Sequence, residues 1–135
     1  MKVAIVYATT TGNTESLANA AAEGAKAAGH EVSLTTADNA DSGETLGADL
    51  ILLGSPAMGA EQLEPSMEDF FSGIENQLSG KKVGLFGSYD WGDGQWLSDW
   101  SERVTNAGAI LAGSVKAQLS PDEASLEEVK KLASA

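Results

Sequence analysis

Six consecutive residues, Thr9-Thr10-Thr11-Gly12-Asn13-Thr14, bring four hydroxyls and a carboxamide around one glycine. Hydroxyl and amide groups at such spacing are donors for an anion. The run Lys2-Val-Ala-Ile-Val-Tyr leads in, and residues 15 to 28 lead out with helical periodicity. A strand, a tight turn and a helix start together expose unpaired backbone N–H groups and the positive end of the helix dipole. Gly12 allows a positive φ and close approach of a ligand to the main chain. A phosphate is the predicted guest. The competing reading is a polar loop in which Asn13 or Thr14 is a plain N-cap.

Two further loops carry residues that need a reason. Residues 55 to 62 include Met58, and residues 88 to 94 include Tyr89 and Trp91. A planar ligand held between an aromatic ring and a thioether is one reason. For Tyr89 a flap folded onto the core is an equal alternative. None of the three loops contains Lys or Arg. The Gly-x-x-x-x-Gly-Lys pattern of an NTP site is therefore absent, as is the Gly-x-Gly-x-x-Gly of a dinucleotide fold. One phosphate held by neutral donors at one end, and a flat ring at the other, describe a mononucleotide. Flavin mononucleotide (FMN) fits best.

The elements that must position these loops alternate. Val3–Val6 is a short continuous apolar run, the pattern of a parallel strand covered on both faces. The helix over 15–28 shows Leu17, Ala18, Ala21, Ala22 and Ala25 on one face and stops at Gly29. His30 follows as a solvated turn residue. Residues 31–36 alternate, predicting a strand with Val32 and Leu34 inward. A short helix fits within 38–48. Asp49-Leu-Ile-Leu-Leu-Gly-Ser-Pro is the strongest strand signal. A loop over 57–62 precedes a helix over 66–78 with Met67, Phe70, Phe71, Ile74 and Leu78 on one face. A strand over 83–87 leads to the third loop. A helix over 95–107 then turns Trp96, Leu97, Trp100 and Val104 inward. The fifth strand, 109–117, is expected to bend near Gly113, and Pro121 is expected to open the last helix, with Leu126, Val129, Lys130 and Leu132 near its packing face. Such βα alternation predicts an α/β fold with a parallel sheet between two helical layers. The three loops leave the same sheet end, where ligands of such folds sit.

Composition narrows the class. The chain has 135 residues, 42% of them hydrophobic, which suits one domain with a real core. There is no cysteine and a single histidine, so thiolate chemistry and His-rich metal sites are excluded. No apolar run reaches bilayer-spanning length and no export signal is visible, so a soluble, cytoplasmic protein is expected. Twenty acids against eight bases give a net charge of −12. That opposes non-specific nucleic-acid binding and anionic membranes, and favours basic partners as readily as mere solubility. Between Ala27 and Gly80 there are ten acids and no Lys or Arg, which tilts the balance towards partners.

Three motifs together, Thr-x-Thr-Gly-Asn-Thr at 9–14, Gly-Ser-Pro-Ala-Met-Gly at 54–59 and Gly-Ser-Tyr-Asp-Trp-Gly-Asp-Gly at 87–94, resemble the flavodoxins over essentially the whole chain. The absence of a long insertion in the fifth strand is similar to the short-chain, clostridial group of anaerobes. The resemblance implies a single domain over 1–135 with strand order 2-1-3-4-5, binding FMN as a low-potential one-electron carrier. It implies shuttling between semiquinone and hydroquinone, with no substrate turnover of its own. Thr9, Thr10, Thr11, Gly12, Asn13 and Thr14 would wrap the phosphate. Ser55, Pro56 and Ala57 would lie along the ribityl chain, with Ser88 near it. Met58 would cover the inner ring face and Trp91 the outer. Glu61 would accept from N3–H, backbone N–H groups around Tyr89, Asp90 and Trp91 would face N1 and O2, and Gly92 would also belong to the cofactor site. Gly59 would carry the carbonyl of a peptide that flips on reduction. Partners would be basic-patched reductases and low-potential oxidoreductases, met by a monomer in transient complexes.

Two residues depart from the family pattern. Ala8 stands where relatives often carry tryptophan, and Asp90 where they often carry glycine. Asp90 would add negative charge beside the reduced ring and lower the second reduction potential. Other readings of the same element order are an FMN-dependent enzyme, a phosphorelay receiver and a cofactor-free module. The first lacks room for a substrate pocket, and the second lacks acids at the ends of strands one and three. The intact Thr/Gly/Asn run opposes the third.

Overall fold

Val3 to Tyr7 is fully buried, as a strand covered on both faces must be. The computed structural model describes residues 1–9, 12–58, 62–89, 94–118 and 120–134. In chain order the elements are β1 (Lys2–Tyr7), α1 (Asn13–Ala27), β2 (Glu31–Thr36), α2 (Ser42–Leu46), β3 (Leu50–Gly54), β4 (Ala57–Met58), β5 (Gln62–Leu63), α3 (Pro65–Ile74), a 3-10 turn (Glu75–Gln77), β6 (Lys82–Tyr89), α4 (Gln95–Asn106), β7 (Ile110–Gln118) and α5 (Glu123–Ser134). Five strands form a parallel sheet in the order β2-β1-β3-β6-β7, which is the predicted 2-1-3-4-5 order.

Alternation along the strands divides the core in two. Val3, Ile5, Leu50, Leu52 and Phe86 face α1 and α5. Val6, Ile51, Leu53, Val83 and Leu85 face α3 and α4. The first layer is packed by alanines of α1, the second by Phe70, Phe71, Trp96 and Trp100. Both helices of the second layer bury the face that their periodicity predicts.

Several boundaries differ from expectation. Leu34 is 38% exposed rather than inward, because β2 is an edge strand with a neighbour on one side only; Val32 does pack on the core. The stretch 57–62 is not plain loop: β4 and β5 pair as a short antiparallel hairpin. β6 runs on to Tyr89, so Ser88 and Tyr89 belong to a strand end. The expected bend in β7 is a bulge, where Val83 and Gly84 face Leu111 and Gly113 and leave Ala112 extra. α1 starts at Asn13, two residues early. α5 starts at Glu123, where the Asp122 carboxylate accepts from Ser125 N–H and the Asp122 N–H donates to Ser125 Oγ.

Candidate functional site

The sheet order places the ends of β1, β3 and β6 side by side. Ala8 N–H donates to the Gly54 carbonyl at 2.9 Å, and Ser55 N–H to the Phe86 carbonyl at 3.1 Å. The three predicted loops therefore open from adjacent strands. Residues 10, 11, 59–61 and 90–93 lie outside the described residues. The predicted roles of Thr10, Thr11, Gly59, Glu61, Asp90, Trp91 and Gly92 fall there.

At the end of β1, Gly12 is the N-cap of α1 with φ +91°, a conformation that favours glycine. Gly12 brings no side-chain cap, and Asn13 and Thr14 are the first two residues of the helix rather than its caps. Thr9 Oγ1 accepts from Gly12 N–H at 3.0 Å and draws the turn closed. Among the described residues, apart from its chain neighbours, a Cβ placed on Gly12 would meet nothing within 4 Å, so they leave the space before the helix end open. A helix start with no side-chain cap from Gly12, an open approach and hydroxyl neighbours fit a phosphate bound by neutral donors.

Besides Thr9, three of the predicted hydroxyls have partners within the protein. Thr14 Oγ1 and Ser88 Oγ lie 2.9 Å apart, both buried, and link α1 to the end of β6. Ser55 Oγ donates to the Pro56 carbonyl at 2.9 Å and accepts from Glu64 N–H at 3.0 Å. Pro56 is buried, and Ala57 and Met58 are half-buried on β4. Tyr89 leans on Trp96 with ring centroids 5.5 Å apart, which is the folded-flap alternative for that residue. β3 and β6 approach so closely here that a Cβ on Gly87 would stand 2.1 Å from the Ser55 carbonyl oxygen; only glycine fits.

The fold also gathers residues that sequence reasoning left out. Thr36 and Asp38 from the end of β2, with Tyr7, Ala8, Thr9, Glu64 and Ser66, line a cavity of about 330 Å3 beside the first loop. The signal was available only through the pairing of β1 with β2 and β3. Burial, and a hydrogen bond to Glu15 at 3.1 Å, hold the Tyr7 phenol above its ordinary pKa. Lys116 of β7 comes against Gly94, the N-cap of α4: a Cβ there would be 2.8 Å from Lys116 Nζ. Its distance in sequence hid it from a search of the loops themselves.

On the flank of the site, Arg103 of α4 makes a bidentate pair with Glu68 of α3, at 2.7 and 2.9 Å, and also binds Glu75. Its guanidinium lies 4.7 Å from the centroid of Phe71. The hydrogen bonds from Arg103 hold the Glu68 carboxyl below its usual range. Among the described residues no group of acids and histidines could hold a metal, and no helix is long and apolar enough to cross a membrane.

Comparison with known proteins gives one answer. The family model described as Flavodoxin matches residues 5–131. A flavodoxin of Megasphaera elsdenii is 45% identical over 123 residues, 90% of each chain. One of Clostridium beijerinckii is 43% identical over 122 residues, 89% of this chain and 88% of that one. The solution structure of two-electron reduced Megasphaera elsdenii flavodoxin superposes with a TM-score of 0.91 at 42% identity, covering 98% of both chains.

Proposed function

The chain belongs to the flavodoxin family of FMN-binding electron-transfer proteins, and on that premise we propose that it is a low-potential one-electron carrier, one domain over residues 1–135, with no substrate turnover of its own. Bound FMN supplies the redox chemistry; the protein supplies binding, orientation and electrostatics. The observation that carries the reading is the start of α1 behind Gly12, opening beside the ends of β3 and β6.

The chain's own residues divide the work. Thr9, Gly12, Asn13 and Thr14, with Thr10 and Thr11, would hold the phosphate through backbone and hydroxyl donors. Pro56, Ala57 and Ser88 would flank the ribityl chain, with the backbone of Ser55. Met58 and Trp91 would cover the two ring faces and exclude water. Glu61 would accept the N3 proton, and the backbone around Tyr89 to Trp91 would donate to N1 and O2. Gly59 would let its peptide take two orientations. Asp90 would place a negative charge by the ring and oppose its second reduction. Partners would be redox proteins with basic patches, met transiently in the cytoplasm by a monomer. The acids from Glu31 to Glu75 would raise the encounter rate, since such steering depends on complementary charge.

A stepwise reductive titration of the FMN-loaded protein tests the reading. Two resolved one-electron steps, the second at low potential, are expected. A protein that takes up no FMN, or that passes directly to the two-electron state, would refute it. Asp90→Asn should raise the second potential and leave FMN affinity nearly unchanged; an unmoved second potential removes the role given to Asp90.

A further inference from the structure

The chain enters the β4–β5 hairpin at Ser55 and leaves it at Glu64, and the two meet. Ser55 is 0% exposed. Its hydroxyl has one proton to give, and that proton goes to the Pro56 carbonyl. Its lone pair accepts the N–H of Glu64. Nothing remains to donate to a ligand. The hairpin above it has two paired positions, Ala57 with Leu63 and Met58 with Gln62. A two-stranded ribbon that short does not support itself.

What lies beneath is closely packed. Ser55 N–H is bound to the Phe86 carbonyl, and the Ser55 carbonyl occupies the space that a side chain at 87 would need. On the returning strand Leu63 is buried. Glu64 then caps α3, its carboxylate accepting from both the N–H and the hydroxyl of Ser66. The Ser55 hydroxyl is thus a side-chain link between the central strands and the start of α3, across the base of the segment that carries Met58.

We propose that Ser55 is a positioning residue: its hydroxyl clasps the base of the β4–β5 hairpin and thereby sets where Met58 meets the cofactor, without the hydroxyl itself touching the cofactor. The proposal rests on the FMN reading above and deepens it. It adds a mechanical role for the hydroxyl to the place of Ser55 along the ribityl chain.

Ser55→Ala and Ser55→Cys test it through three readouts: amide exchange of Glu64 in the apoprotein, the FMN dissociation constant, and the separation of the two one-electron potentials. In Ser55→Ala, loss of one hydrogen bond should speed Glu64 exchange about tenfold while the core amides of Leu52 and Leu53 keep their protection. The separation of potentials should change, and FMN binding should weaken by less than about tenfold. Ser55→Cys, with a weaker donor and acceptor of similar shape, should fall between parent and Ala, and carries the same readouts if the Ala apoprotein does not fold. Faster Glu64 exchange with unmoved potentials would overturn the proposal, leaving a clasp that serves the fold alone. A hundredfold loss of FMN affinity with unchanged Glu64 exchange would overturn it in favour of direct contact. A parent protein that binds no FMN would instead overturn the carrier reading, so the two failures are distinct.

Discussion

The two helical layers solve the same packing problem in opposite ways. On one side α1 and α5 touch backbone to backbone: a Cβ on Gly24 would stand 2.7 Å from both Cα and carbonyl oxygen of Lys130. The alanines at 18, 21, 22 and 25 make that approach possible. On the other side α3 and α4 are joined by large side chains, with Phe71 edge-on to Trp100 at 5.9 Å and Arg103 bridging Glu68 and Glu75. They leave between them a cleft of about 470 Å3 lined by residues that include Leu63, Pro65, Trp96 and Trp100. Small residues bring backbones together and hold a helix along its length. Large ones fix a helix at a few contacts and leave gaps. The layer that presents the N-terminus of α1 at the proposed phosphate end is the closely packed one.

The largest break in this contrast should come from Phe71→Ala. Phe71 is fully buried beneath Arg103 and against Trp100. Its removal should cost about 3–5 kcal/mol, read as a lower denaturant midpoint at constant slope. A cost below about 1 kcal/mol would mean that the aromatic layer collapses around the gap.

Glycine-to-alanine changes sharpen the comparison, because the same change should have opposite signs on the two sides. Alanine normally gains about 1 kcal/mol over glycine inside a helix. At Gly24 the new methyl would meet backbone atoms of α5 that cannot rotate away. Overpacking of this kind costs about 1–3 kcal/mol, so Gly24→Ala should lower Tm. At Gly73 of α3 nothing among the described residues outside its own helical turn lies within 4 Å of the added carbon. Gly73→Ala should therefore raise stability by about 0.5–1 kcal/mol. Equal signs in paired thermal melts would show that the layers are not packed differently.

The smallest effect concerns acid. The folded-state pKa of Glu68 is lowered, chiefly by its hydrogen bonds to Arg103. A lowered carboxylate contributes stability above its unfolded value, near about 4.3, and loses it as pH falls through the folded value. The side chain of Glu68 is 43% exposed, so solvent limits the contribution to about 0.2–1 kcal/mol. Glu68→Gln should flatten the acid limb of the stability curve by that amount. The curve at pH 7 and above should keep its shape and sit lower only by the lost pair. An unchanged acid limb would show that the bridge adds nothing in solution.

Much of this was legible in the chain. Burial of Val3–Tyr7 and Leu50–Gly54 follows from unbroken apolar runs, and the inward faces of α3 and α4 from 3.6-residue spacing. These are local signals, and local physics decides them. Leu34 failed because a period-2 pattern does not say whether a strand lies at the edge. The β4–β5 hairpin failed because two paired residues leave no period to read. Lys116 was missed because β7 reaches Gly94 only through the pairing of β6 with β7.

The sequence by itself determined the order of the five sheet strands and the helices between them, the helical layers on both faces and a loop whose donors suit one phosphate. It could not determine how the hydroxyls are used. Thr14 and Ser88 are 74 residues apart and bond to each other, and Ser55 bonds to Glu64. A hydroxyl donates a single proton, and whether it goes to a ligand or to the protein depends on which strand ends the sheet sets side by side. Only the tertiary structure decides that.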